Sequence, residues 1–233
     1  MDNLSKRKKD KRIGVRLLVG IFDGLLMMLL SYWMDGFGML KDTDTWRLRP
    51  IRLYQICMLL AMLGVPAMCF AFSGWYEMIL TLREKRWVKL LFLASTVSYA
   101  VSSLYMIAID CLPPILYQTT TELGIASETA LRLIEKVQKP YVIPVITFFL
   151  IEDIGISIVL WRLVLTNKLW VSKWGLVCCP AVMLVVDVIL KLIPSALTHN
   201  ISVTLESAGW MLFMLAGLIH INRGAIKTSI EIE

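Results

Sequence analysis

Two adjacent acids, Glu152 and Asp153, stand near the middle of an otherwise apolar run over residues 141–161. A carboxylate at the centre of a bilayer costs about 2.5–3.5 kcal/mol on insertion scales, so a membrane helix carrying two must gain a partner, a cavity or a function from them. The chemistry open to such groups is proton exchange, or the holding of a cation or basic solute. The neighbours are about 100° apart around a helix and must serve different partners. Asp153 precedes Ser157 by one turn, and Gly155 weakens the helix between them enough for a local break. Asp23 is a third deep acid. Arg16, Gly20, Asp23 and Met27 share one helix face, which points Asp23 into the bundle, lets Arg16 reach it by snorkelling, and lets Gly20 and Gly24 admit a close neighbour. Asp23, Glu152 and Asp153 are thus the expected site, lining a polar cavity at the membrane midplane. Asp187 and Lys191 are an i, i+4 pair, and the short connection 194–201 brings Glu206 to them; this trio reads as an ion-pair cluster that fixes helix register. Ser95, Ser98 and Ser102 form a hydroxyl stripe suited more to packing than to a wet cavity.

The elements that must position these groups are apolar helices. The chain has 233 residues, 58% hydrophobic and 18% charged, with mean hydropathy +0.70, which excludes an ordinary soluble domain. Runs near 15–34, 53–73, 88–109, 141–161, 175–193 and 203–221 are each about 20 residues, enough to cross about 30 Å of hydrocarbon. The expectation is an all-α polytopic transmembrane helix bundle of six spans in the cell membrane. A basic tail over 1–14 precedes the membrane domain of 15–221, and a second tail covers 222–233. The first run ends without a small-residue cleavage pattern and reads as an uncleaved helix. Most of the 24 Lys and Arg fall on the side of the tails, so both termini are expected to be cytoplasmic. That asymmetry and anionic headgroups account for the net charge of +6, and nucleic acid is not needed as a partner. Trp33, Trp46, Trp75, Tyr76, Trp87, Trp161, Trp170, Trp174 and Trp210 are expected at the membrane interfaces. Between the third and fourth runs, residues 110–140 predict a long connection, with Ser127 capping a short amphipathic helix.

Catalytic signatures are absent from the sequence. His199 and His220 would stand about 30 Å apart on one helix and cannot share a metal. No nucleophile elbow, H-E-x-x-H or phosphate-binding glycine loop occurs, and Asp42-Thr43-Asp44 lacks the remaining ligands of a calcium loop. Cys178, Cys179, Met58 and Met62 suit packing better than copper. No cofactor and no metal is expected. Three classes stay open: a small-solute, cation or proton binding or transport protein; a structural or sensory membrane partner; and a lipid-modifying enzyme with Asp23 or Glu152 as base near the serine stripe.

Gly20-Ile21-Phe22-Asp23-Gly24 in the first span, Thr45-Trp46-Arg47-Leu48-Arg49 before the second, Pro66 within it and Ser207-Ala208-Gly209-Trp210 opening the last form a recognisable set. In these motifs the chain resembles a family of uncharacterised bacterial six-pass membrane proteins, catalogued as a domain of unknown function. The resemblance implies an all-helical membrane fold and supplies no catalytic residues. Where that family often carries a histidine near the end of the third span, this chain has Tyr105-Met106-Ile107-Ala108.

Overall fold

The computed structural model of the chain describes residues 3–35, 46–177, 179–193 and 195–230. Asp42, Asp44, Thr45 and Cys178, and the side chains of Trp174 and His199, lie outside the described residues. The elements are α1 (Asn3–Asp35), α2 (Ile51–Thr81), α3 (Arg86–Glu122), α4 (Ser127–Leu165), a 3-10 turn (Lys173–Leu176), α5 (Pro180–Lys191) and α6 (Ala196–Ile230). Among the described residues, five helices are long and apolar enough to cross a membrane: Lys6–Trp33, Ile51–Thr81, Arg86–Glu122, Ser127–Leu165 and Thr204–Arg223. By length and composition these five are candidate spans, which suggests a multi-pass membrane protein.

Close approach between α1 and α6 depends on glycine. A Cβ on Gly20 would stand 2.6 Å from the Ala71 Cβ and 2.9 Å from Met214, and one on Gly24 would stand 3.0 Å from the Met211 Cβ. Because Gly14, Gly20 and Gly24 face Leu218, Met214 and Met211 in turn, the two helices are antiparallel. The start of α1 and the end of α6 therefore share one end of the bundle, the tail end; the connection between α3 and α4 is at the far end.

The expected fifth span, 175–193, is not a single helix. Only 12 residues of it form α5, about 18 Å of helix against about 30 Å of hydrocarbon. Pro180 is the cause: it lacks the N–H needed to continue a helix from upstream and holds Cys179 extended, at φ −139° and ψ 153°. Chain before α5 climbs into the bundle, with the Trp161 indole donating to the Leu176 carbonyl at 2.8 Å. The first turn of α5 rests on Gly209, where a Cβ would stand 3.1 Å from the Pro180 Cα. Ala181 N–H donates to Ser157 Oγ at 3.1 Å. At the tail end, by contrast, His220 accepts the Trp170 N–H. Gly209 is about 16 Å along α6 from that level, so α5 begins deep inside the bundle.

The long connection expected over 110–140 is also replaced. α3 continues through Pro113 and Pro114 to Glu122, and α4 starts at Ser127 and continues through Pro140 and Pro144. Pro113 cannot donate to the Ile109 carbonyl one turn back; Gln138 of α4 donates to it instead, at 3.1 Å. A tight turn joins the helices at Gly124, whose φ of +82° suits a residue without a side chain. Ser127 is not the cap. Ala126 holds that position, and the Ser127 hydroxyl accepts a hydrogen bond from Arg47 at 3.1 Å. Nor does Gly155 break α4; a Cβ there would collide with the Ser95 hydroxyl, so this glycine brings α3 and α4 together.

Two tryptophans expected at interfaces are core residues. Trp75 is fully buried and stacks on Phe213 at 4.2 Å between centroids, while Trp210 packs edge-on against Phe72 and Tyr99 at 5.5 and 5.2 Å. Trp33, Trp87 and Trp170 are each about half exposed, near helix ends.

Candidate functional site

The acids at the tail end have cations. Glu77 of α2 accepts from Arg12 at 2.6 Å and Arg16 at 3.1 Å, with Lys9 at 3.9 Å. Arg16 thus turns to Glu77 and not to Asp23, as its reach from sequence had suggested, because α2 places a carboxylate nearer the surface where its head can stay hydrated. Glu84 lies in the turn between α2 and α3. Its buried carboxylate holds Lys168 at 2.5 Å and Arg162 at 4.0 Å, and accepts the Lys85 N–H at 3.2 Å. Burial pushes the Glu84 carboxyl up, but Lys168 and the Lys85 amide as donors, together with the charges of Lys168 and Arg162, outweigh it and leave the carboxyl below its ordinary range.

Deeper in the bundle the pattern changes. Glu152 is 1% exposed and accepts a hydrogen bond from Ser102 of α3, the last hydroxyl of the stripe. The upper part of that stripe packs: Ser95 donates to the Leu91 carbonyl at 2.9 Å and approaches the Ile151 carbonyl at 3.3 Å. Asp23 sits against Gly64 of α2, where a Cβ would stand 2.6 Å from its Oδ1, and its Oδ2 has no hydrogen-bond partner among the described residues. Asp153 is 0% exposed and neither of its oxygens has a partner among the described residues. Asp187 binds Lys191 at 2.7 Å, and both interact electrostatically with Glu206. The trio 187, 191 and 206 is brought together, but Glu206 also faces inward.

A cavity of about 100 Å³ joins several of these groups. Glu152, Glu206 and Asp110 line it with Tyr99, Ser102, Ser103 and Trp210, and no Lys, Arg or His is among its lining residues. Tyr99 and Trp210, which line it, form a triad of rings with Phe72, each edge-on to the other two at 5.1–5.5 Å. Asp110, on the part of α3 toward the far end, lines the cavity and is exposed. Tyr99 interacts electrostatically with Asp23, Glu152 and Glu206. Asp23 lies behind the wall formed by Gly24 and Met27, and Asp153 lies on the adjacent face of α4, toward Glu206. Of the three acids expected from sequence, Glu152 borders the cavity; the other two flank it.

Tyr99, Asp110 and Trp210 were not among the expected site residues. The signal for Tyr99 was its place three residues before Ser102 on a polar face, whereas nothing in sequence gives the depth of Trp210. Volume and lining suit a small organic cation: at about 30 Å³ per water the space equals about three waters, and aromatic faces beside carboxylates favour ammonium groups. No group of three or more His, Cys, Asp or Glu able to hold a metal occurs among the described residues.

A family of unknown function (DUF6796) has a model that matches residues 1–224. No curated protein and no solved structure matches the chain.

Proposed function

The chain belongs to that family of unknown function, and we propose that it binds a small organic cation in the acidic cavity and carries it across, or senses it in, the membrane. The observation that supports this reading is a cavity with three carboxyl side chains and no basic one. Glu152 anchors the ammonium group, held in place by Ser102; Tyr99 and Trp210 offer ring faces to its alkyl part; Glu206 and Asp110 supply the surrounding field. The orientation that goes with it has both termini in the cytoplasm and the cavity mouth outside. In its support, Lys6, Arg7, Lys8, Lys11, Arg83, Lys85 and Arg86 are exposed at the tail end while Glu77 and Glu84 there are already paired.

The test is direct binding. Methylammonium and tetramethylammonium are titrated into purified protein by calorimetry, beside acetate as an anionic control. Saturable binding of an ammonium ion that weakens about 30-fold or more in Glu152→Gln supports the reading, since a charge-assisted hydrogen bond contributes about 1.5–3 kcal/mol. Equal affinity in the variant, or binding of acetate instead, refutes it.

A further inference from the structure

We propose that Asp153 is a proton-binding site separate from the solute cavity, and that Glu206 passes the proton between Asp153 and that cavity. This rests on the cavity reading for its consequence, but its first observable does not require a solute.

The geometry begins with what Asp153 lacks. It is 0% exposed, does not border the cavity, and has no donor to either oxygen among the described residues. A carboxyl buried this way without a donor needs something from outside the chain, and a proton is the smallest group that satisfies it. The charged groups that interact with Asp153 are Glu206 on α6 and Glu152 on α4 itself; Glu206 in turn interacts with Asp187 and Lys191 of α5, and Tyr99 of α3 with Glu152 and Glu206. Lys191 is the one base in this set, and it is half exposed and already bound to Asp187 at 2.7 Å. Among the described residues, no Lys, Arg or His is paired with Asp153.

Glu206 completes the route. It is the group whose charge acts on Asp153, and it lines the cavity beside the Trp210 indole. In the transfer, the Asp153 O–H bond breaks as the Glu206 carboxylate takes the proton and forms a new O–H bond. Charge moves to Asp153, and Glu206 then gives the proton to water in the cavity. The broken fifth span has a place in this step. The first turn of α5 meets Ser157, one turn of α4 beyond Asp153, so the positive end of that helix lies near the charge that the transfer leaves behind.

Infrared difference spectra of the full-length protein in liposomes, recorded across a pH step without solute, test the site. The protonated-carboxyl band of the wild type should contain a component that persists in Glu152→Gln and is lost in Asp153→Asn. Methylammonium-driven proton release, read with a pH dye, should fall about tenfold in Asp153→Asn and in Glu206→Gln. Methylammonium affinity should stay within about twofold of wild type in Asp153→Asn, as expected for separate sites. An unchanged band in Asp153→Asn overturns the proposal. So does a band that responds to sodium at fixed pH, or an affinity loss as large as that of Glu152→Gln. Should Asp153→Asn not fold, isotope-labelled aspartate in an Asp23→Asn background must shift the band. If the wild type binds no ammonium ion, the cavity reading fails while the band still decides Asp153.

Discussion

The tail end and the deep layer of this bundle both contain acids on apolar helices, and they treat them in opposite ways. Glu77 has three cations within 4.0 Å and Glu84 has two, one of them at 2.5 Å. Glu152 has a hydroxyl, and Asp153 has no partner at all among the described residues. Basic side chains long enough to snorkel reach the tail end from α1 and α4, so acids there are neutralised within the protein and tie helices together. About 16 Å further in along the helix, the same side chains would have to strip their hydration shells, and no Lys, Arg or His lines the cavity there. An acid kept at that depth without a base costs stability, and a fold has little reason to keep several of them around one cavity unless something outside the chain completes them. The contrast separates ion pairs that assemble the bundle from carboxyls that await a ligand.

Neutralising one acid from each region gives the largest expected difference. Glu152→Gln should weaken ammonium binding about 30-fold or more yet leave stability toward SDS unfolding near wild type, because the amide still accepts from Ser102 and no ion pair is lost. Glu77→Gln should do the reverse, lowering stability by about 1–2 kcal/mol with unchanged ammonium affinity, since partly exposed pairs count for less than buried ones. Loss of stability in both, or loss of binding in both, would erase the distinction. Glu84 sharpens it through pH. Its carboxyl lies below the ordinary range when folded, so its contribution is complete above the unfolded value near 4.5 and is lost as pH falls through the lower folded value. Glu84→Gln should cost about 2 kcal/mol at neutral pH and flatten that acid limb of the unfolding profile. Fluorescence-detected unfolding between neutral pH and mild acid measures both.

Deep carboxylates were legible in the sequence because a charge inside an apolar run is costly wherever the run folds; Asp23 and Glu152 needed no partner to be noticed. All five long helices follow from hydropathy for the same reason, at least over their apolar parts. What sequence withheld was nonlocal. Pro113 and Pro114 read as a helix end until Gln138, on the next helix, supplies the donor for the Ile109 carbonyl. Arg16 had an acid about two turns away on the same face of its own helix, yet Glu77 on α2 is nearer the water its head needs. The break before α5 was in principle visible at Pro180, but an apolar run of sufficient length masked it. Trp75 and Trp210 show the limit of aromatic belts as depth markers, because the rings that bury them, Phe72 and Phe213, belong to other stretches of chain or face inward by packing alone.

A smaller effect is expected where the two regions are joined. Gly155 lies two residues from Asp153 and three from Glu152, on the line where α3 and α4 meet, and the Ser95 hydroxyl occupies the space a Cβ would take. Gly155→Ala therefore forces Ser95 aside and should cost about 1–3 kcal/mol as an overpacking change, against a small gain from better helix propensity. Ser95→Ala removes the oxygen that collides, so the pair of substitutions should recover about half of that cost or more, a positive coupling read from a double-mutant cycle of SDS unfolding. Ammonium affinity is the discriminating second readout. If α3 and α4 merely pack at this line, Gly155→Ala changes stability alone. If their spacing sets the contact between Ser102 and Glu152, affinity falls with stability and returns with Ser95→Ala. Recovery of stability without recovery of binding would mean that the deep acids are positioned independently of the packing seam beside them, and that α6 and α5, on the other flank, hold the site in register.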